Sequence, residues 1–421
     1  MNLRRGLALL LTCVAFGGCD DQQTPVPGGD DATAGQLEPE PAEPEPEAPE
    51  AEPEPEEPEP GEPEPGEPEP AEPEPQEPEP GEPEPDPQEP EPGEPEPAPD
   101  PEPGEPEPAP EADFIRFVAL GDVGKGNDGQ RRVAAAVVDV CAEFGGCDFA
   151  VLLGDNIYDA GCDDENDPQW ITKFEEPYAD VDMPFYASLG NHDYGAPPIL
   201  QELAGGIGID PRRGDAQLAY ARVQDKFRMP DLFYRFAEGP VELVALNTAT
   251  VFWRDLPFVE ALTGFGEVTD AQIDALADWS DDPLAPWRIA FGHHPYISNG
   301  PHGNAGIYDG VFIDGLIGSG TALRDFFEDH VIGDFHVLLS GHDHSLQDQG
   351  DFDGTSVFVS GAGASTTDLE GDNPAIWQSS DRGFIVIEVT RRRLDARFIT
   401  VPDDNGAARP WVEAHSRTLI R

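Results

Sequence analysis

Phe149-Ala150-Val151-Leu152-Leu153-Gly154-Asp155-Asn156-Ile157-Tyr158 is the stretch on which the reading of this chain turns. An apolar run of strand length passes through one glycine into a cluster of metal-ligating side chains. Open α/β sheets place their ligand-binding loops just beyond the carboxyl ends of such strands. The pattern recurs along the chain: Gly121-Asp122-Val123-Gly124, Gly190-Asn191-His192-Asp193, Gly292-His293-His294-Pro295 and Gly341-His342-Asp343-His344 each follow an apolar run. One block alone carries little weight, because an Asp after a strand is more often a helix N-cap. The full series, in order, describes a site.

Together the blocks offer Asp122, Asp155, Tyr158, Asn191, His293, His342 and His344 as metal ligands. That set has more hard and borderline donors than one ion takes, and it suits two metals sharing a carboxylate. Asp155, in the richest block, is the candidate bridge, and Asp122 can hold one metal. Tyr158 can turn back as a phenolate, which a ferric ion deprotonates more readily than zinc does, so the residue choice points to Fe(III). His342 and His344 alternate along what reads as an extended segment, although a turn between them lets each reach a different metal. Asn191 offers a neutral amide oxygen to the second ion, and His293 completes it.

The pattern around these blocks predicts strands at Phe114–Leu120, Phe149–Leu153, Pro184–Leu189, Trp287–Phe291, His336–Ser340, Ser356–Ser360, Phe384–Val389 and Leu394–Thr400. A hairpin is predicted from Phe233–Ala237 and Val241–Asn247 across Glu238-Gly239-Pro240. Helices are predicted over Gln130–Phe144, Gly214–Phe227 and Thr321–His330, with a further one opening at a Thr269–Gln272 capping box and running to Trp279. Helix-strand alternation followed by strands predicts an α/β fold of two sheets face to face with helices outside, in one domain over 113–421.

The rest of the chain has a different character. Residues 20–112 contain neither Lys nor Arg, and proline recurs at nearly every second position between Leu37 and Pro110 in a Glu-Pro repeat. Proline withholds backbone donors and like charges repel, so this tract is expected to be a disordered, extended spacer. The formal charge of −62 divides about evenly between the spacer and the domain. An acidic domain has the wrong sign to hold nucleic acid through its phosphates. Arg4 and Arg5 followed by the apolar run Leu7–Phe16 read as a signal peptide over 1–19. Phe16-Gly17-Gly18-Cys19 is similar to a bacterial lipoprotein cleavage site with Cys19 lipidated. The expectation is therefore an exported protein, anchored in the periplasm or at the cell surface through Cys19, with plain secretion as the alternative. Export permits disulfides, and Cys141 and Cys147 flank Gly145-Gly146, a turn able to join them. Cys162 is left over, near the site or simply buried.

In this order the blocks resemble the calcineurin-like metallophosphoesterases, and more narrowly the small purple acid phosphatases of the tartrate-resistant type. Gly-Asp-Asn-x-Tyr at Gly154–Tyr158, Gly-Asn-His-Asp at Gly190–Asp193, Gly-His-Asp-His-Ser-Leu-Gln at Gly341–Gln347 and Ser360-Gly361-Ala362-Gly363 carry the resemblance. It implies a four-layer sandwich of two mixed sheets flanked by helices. It also implies a ferric ion on Asp122, Tyr158, His344 and shared Asp155, and Fe(II), Zn(II) or Mn(II) on Asp155, Asn191, His293 and His342. His192 and His302 match the family's two pocket histidines, one serving the leaving oxygen and one the phosphate. His294 stands where small members often carry Tyr, either as a pocket donor or packed on Pro295. Asp193 and Asp343 are expected to orient the histidines beside them; His330, His336 and His415 read as structural. The loops Ala196–Arg213 and Gly303–Gly320 would frame the pocket.

The implied activity is that of an acid phosphatase: hydrolysis of small phosphate monoesters by direct attack of a metal-held hydroxide, by a monomeric enzyme without a Cys or Ser nucleophile. A phosphodiesterase or nucleotide hydrolase on the same metals is the alternative within enzymes. A surface binding protein that has lost activity is the alternative outside them.

Overall fold

Each apolar run that precedes a ligand block becomes a strand whose end is level with its neighbour's. The computed structural model describes residues 114–197, 206–254, 257–308, 320–403 and 410–421. The expected signal peptide, its anchor Cys19, the Glu/Pro tract and the central parts of the two framing loops lie outside the described residues. The strands are β1 (Phe114–Leu120), β2 (Phe149–Leu153), β3 (Phe185–Ser188), β4 (Phe227–Arg228), β5 (Tyr234–Glu238), β6 (Val241–Ala245), β7 (Trp287–Phe291), β8 (Val337–Ser340), β9 (Leu346–Phe352), β10 (Thr355–Ser360), β11 (Trp377–Ser379), β12 (Gly383–Thr390), β13 (Arg393–Thr400) and β14 (Val412–Ile420). Among the described residues they form two seven-stranded sheets, ordered β14-β13-β12-β1-β2-β3-β4 and β11-β9-β10-β8-β7-β6-β5. Both are mixed. β1 through β4 run parallel in the first, and β6, β7, β8 and β10 run parallel in the second. Register brings the strand ends together: Leu120 pairs with Leu152 and Leu153 with Ser188, while Ala245 pairs with Phe291 and Phe291 with Leu339.

The two-core architecture follows from alternation along the strands. In the second sheet Leu243, Ile289, Leu339 and Phe358 join the large core shared with the first sheet. Their neighbours Val244, Ala290, Leu338 and Val357 join a separate core. The latter is closed by α4 (Thr248–Trp253), α6 (Phe265–Asp281) and α7 (Thr321–His330), with α5 (Pro257–Thr263) before α6. Between the sheets Phe149 stacks on Phe117 at 4.9 Å and meets Phe236 edge-on at 5.8 Å, and Phe358 meets Phe398 edge-on at 5.5 Å. On the first sheet, α1 (Asp128–Phe144) buries Val133, Ala136, Val137 and Val140. It starts where the Asn127 side chain accepts the Gln130 N–H, and stops at left-handed Gly145, just where Cys141 and Cys147 form the expected disulfide. Cys162 is free and buried.

Two predicted helices begin elsewhere. The helix expected over Gly214–Phe227 is α3 (Pro211–Ala221), opened by an Asp210 cap and a proline in the first turn; Phe227 pairs with Phe185 as strand β4. The Thr269 capping box is not a cap. Helix α6 starts at Phe265, and buried Thr269 turns its hydroxyl to that of Thr250 at 3.3 Å. Strands β9, β11 and β14 were not signalled by apolar alternation. β9 buries Gln347, Asp348 and Gln349, and β14 lies at an edge with alternate residues exposed.

Asp348 is wholly buried in the second sheet and accepts from Arg417 at 2.6 Å and from His415 at 2.9 Å, both on β14 of the first sheet. Replacing Asp348 with Ala strips the part-buried Arg417 guanidinium and His415 ring of the carboxylate they share. It should cost about 3–5 kcal/mol in chemical denaturation; a loss below about 1 kcal/mol would place this network among screened surface pairs.

Candidate active site

Five strands deliver the predicted ligands. Asp122 follows β1, Asp155 follows β2, Asn191 opens α2 (Asn191–Tyr194) after β3, His293 follows β7 and His342 follows β8. The backbone is bent hard to do so. Asp122, Asp155 and His342 all have left-handed φ, at 59°, 54° and 70°. Side chains with a Cβ rarely adopt this conformation, and it persists where surrounding structure enforces it, above all at functional sites. The bend at His342 means that His342-Asp343-His344 is a turn, not an extended segment, and it sends the two rings to different partners.

Those partners fall into two groups. In one, the Tyr158 hydroxyl lies 2.8 Å from Asp122 Oδ1 and 3.0 Å from His344 Nε2, and His344 Nε2 is 3.4 Å from Asp122 Oδ1. In the other, His293 Nε2 lies 2.9 Å from Asn191 Oδ1 and 3.0 Å from His342 Nδ1. Asp155 Oδ1 stands 3.3 Å from His293 Nε2 in the second group, and its carboxylate comes within 4.8 Å of that of Asp122 in the first. It therefore stands between the two groups, within reach of a cation in either, as a bridging residue must. Ligand atoms of Asp122, Asp155 and His293 come within 4.8 Å of one another, and all three residues are buried.

The donor chemistry fits cations in both groups. His293 Nδ1 lies 2.9 Å from the Leu153 carbonyl, so Nδ1 carries the proton and the Nε2 lone pair points inward. The Asn191 amide nitrogen is engaged with Gly206 O at 2.6 Å, so its oxygen is the atom facing that lone pair. Two acceptors held 2.9 Å apart are satisfied by a positive ion between them. His344 repeats the device with Nδ1 3.0 Å from the Ser365 hydroxyl.

The electrostatics are those of a crowded anionic well. Burial, reinforced by Asp122 and Asp155, drives the Tyr158 phenol well above its ordinary range. Burial also raises Asp155, but the charges of His293 and His192 outweigh it and the net shift is downward. His293 loses to burial and gains more from Asp155 and Asp122, ending above the usual histidine value. His342, buried among His302, His294 and His293, is driven well below. A multivalent cation inverts this pattern and makes the phenolate the favoured form.

His192 and His302 stand at opposite sides of the well. The His192 ring is 4.4 Å from that of Tyr158, its Nδ1 is 2.5 Å from Asp159 O, and its backbone N–H donates to Asp155 Oδ1 at 3.0 Å. The His302 ring stacks on His342 at 4.1 Å. His294 lies behind, buried, with Nδ1 2.9 Å from the Thr248 hydroxyl and its ring parallel to Phe252. His336 and His415 are structural, the first accepting the Arg288 N–H and the second paired with Asp348.

Asp193 and Asp343 do not orient histidine rings. Asp193 is the third residue of α2, so its carboxylate turns back to the Gly190 N–H at 2.8 Å, and it also takes Ile157 N–H and the Gln217 amide. Asp343 takes the His302 N–H at 3.1 Å and the Ser298 hydroxyl. Each carboxylate pins a loop. Burial, with Asp155 nearby, pushes Asp193 up to about 7. Sequence reasoning passed over Asn156 and Gln217, which are buried and joined at 3.1 Å beneath the second loop. The only signal for Asn156 was its place in the richest block.

This site on this fold defines a class, and comparison with known proteins agrees. Residues 115–346 match the family of calcineurin-like phosphoesterases, and the chain belongs to it. Within that class it is similar to purple acid phosphatases. It is 28% identical over 264 residues to purple acid phosphatase 17 of Arabidopsis thaliana, spanning 59% of this chain and 68% of that protein. It is 26% identical over 267 residues to tartrate-resistant acid phosphatase type 5 of Homo sapiens, spanning 59% and 73%. Among solved structures, GAP50, the anchor in the inner membrane complex of Plasmodium, shares the fold with a TM-score of 0.55 at 21% identity, over 73% of this chain and 89% of that one. Purple acid phosphatase PPD1 from yellow lupin seeds does so with a TM-score of 0.50 at 17% identity, over 73% and 54%.

A Cβ on Gly190 would run into Asp155 Oδ1 and the Asp155 backbone nitrogen. Gly190→Ala should therefore displace the shared carboxylate and lower bound metal per chain several-fold, with the far-ultraviolet dichroism unchanged. Full metal retention in that variant would mean that the position of Asp155 does not govern loading.

Proposed function

We propose that this protein is an acid phosphatase that hydrolyses small phosphate monoesters at a dinuclear centre holding Fe(III) with Fe(II), Zn(II) or Mn(II). The observation that carries the reading is the division of seven side chains into two groups joined by Asp155. Asp122, Tyr158, His344 and Asp155 would hold the ferric ion; Asp155, Asn191, His293 and His342 would hold the second. Bound there, the ions supply Lewis acidity to the phosphoryl oxygens and make water a competent nucleophile at low pH.

The chain's own contribution is positioning and proton supply. His192 gives its Nδ1–H to Asp159 O, which frees Nε2 for the substrate; protonated on both nitrogens, the ring would donate from Nε2 to the oxygen of the departing alcohol. Gly206 packs against that ring, where any side chain would collide with it. His302, held by Asp343 through its backbone, supplies the donor for the phosphate on the other side. The one free cysteine among the described residues, Cys162, is buried with its thiol pushed up by burial, so attack by a cysteine thiolate is not part of the scheme.

The disulfide between Cys141 and Cys147 supports an exported location, since such bonds persist in oxidising compartments. We propose that the enzyme stands off a membrane on its Glu/Pro spacer, tethered through Cys19. Among the described residues no helix is long and apolar enough to cross a membrane. GAP50 is an anchor on the same fold, so a binding role has a precedent. The convergence of every predicted ligand in this chain favours catalysis instead.

Three outcomes test this reading. p-Nitrophenyl phosphate should be turned over far faster than its bis ester; the reverse ranking would make the protein a diesterase. His192→Ala should lower kcat by about 10²–10⁴-fold, with metal content kept. The iron-loaded protein should be violet from tyrosinate on Fe(III), and Asp155→Asn should lose both colour and turnover. An active but colourless zinc protein would overturn the metal assignment alone.

A further inference from the structure

Lys125 is a cation that the scheme above leaves without a task. It follows Gly124 in the block that carries Asp122, and its backbone N–H turns back to Val123 O at 2.8 Å. That tight turn brings the half-buried side chain over Tyr158, with Nζ 4.8 Å from the centre of the ring. Among the described residues no carboxylate forms an ion pair with Lys125, although the domain is strongly acidic. A second lysine shows the contrast: Lys173 bonds to the Tyr158 carbonyl and to Gln169 Oε1 at 2.7 Å, an ordinary structural role. One lysine holds the backbone of Tyr158, and the other addresses only its π face.

We propose that Lys125 tunes the iron centre electronically. Its ammonium stabilises the electron-rich ring of Tyr158 and so sets the energy of the tyrosinate-to-iron charge transfer. The inference rests on Tyr158 being an iron ligand. A cation over an aromatic face is attracted to the ring's negative quadrupole, and the attraction grows where solvent is reduced. The phenol oxygen, flanked by Asp122 and His344, is the end at which the ion would sit. Charge-transfer excitation moves an electron out of the ring toward that end, away from the face covered by Lys125. The ammonium opposes this displacement, so it raises the transition energy and shifts the band to shorter wavelength. The same stabilisation of the ring favours tyrosinate over the other ligands a ferric ion might take from solvent.

The test is the visible spectrum of the full chain loaded with ferric and zinc ions, compared at equal iron content for the wild type, Lys125→Met and Lys125→Arg. Met keeps the length and removes the charge; Arg restores the charge. The band should move to longer wavelength in Lys125→Met and return toward the wild-type position in Lys125→Arg. Lys125→Gln repeats the neutral test if the methionine variant loses its fold. A band at one wavelength in all variants overturns the proposal, including the case in which only KM for the phosphate ester rises, which would make Lys125 a substrate contact. Iron bound by the wild type with no visible band overturns Tyr158 as a ligand, and the tuning role with it.

Discussion

The site depends on one crossing between the sheets: the Asp122 carboxylate, at the end of β1, accepts the backbone N–H of His342, at the end of β8 in the other sheet, at 2.8 Å. Two further bonds make the same crossing, Gly121 N–H to Ser360 O at 2.7 Å and His293 Nδ1–H to Leu153 O at 2.9 Å. These bonds fix the register of the two strand rims, so the ligand groups that each sheet carries face one another. With them, each ligand loop is held by the opposite sheet. A site that must gather several anionic and lone-pair donors in one buried space is electrostatically unfavourable by itself, and it needs a scaffold rigid enough to hold it.

The supporting residues share a logic. Asp193, Asp343, Asn156 and Gln217 bond to backbone and to one another, leaving the inward atoms of the ligands to a cation. Small residues permit the approach: at Gly154, with φ +81°, a Cβ would stand 2.7 Å from that of His293. Left-handed backbone at Asp122, Asp155 and His342 shows where the chain spends conformational energy. The large inter-sheet core, with Phe149, Phe236 and Tyr186 in mutual contact, is what holds those loops in place.

Much of this was legible beforehand because local rules were consistent. Apolar runs ending in Gly-Asp or Gly-His located strands and loops together, and the Cys141–Cys147 bridge followed from spacing around a glycine turn. The errors have local causes as well. Asp210-Pro211 was a stronger helix start than the pattern after Gly214, and Thr269 had a tertiary partner in place of a capping role. β9 escaped notice because its buried side chains are polar, and their burial is tolerated only through partners such as Arg417 and His415 on a strand distant in sequence.

The sequence alone determined which residue types were available, their order along the chain and the ends of strands on which they would stand, because glycine placement and apolar periodicity are local properties. Tertiary structure alone decided the grouping: that His342 and His344 part company at a left-handed turn, that Asp155 stands between the two groups, that Asp193 and Asp343 hold loops and not rings, and that Lys125 lies on the face of Tyr158. These are distances between residues far apart in the chain, and only the packing of one sheet against the other sets them.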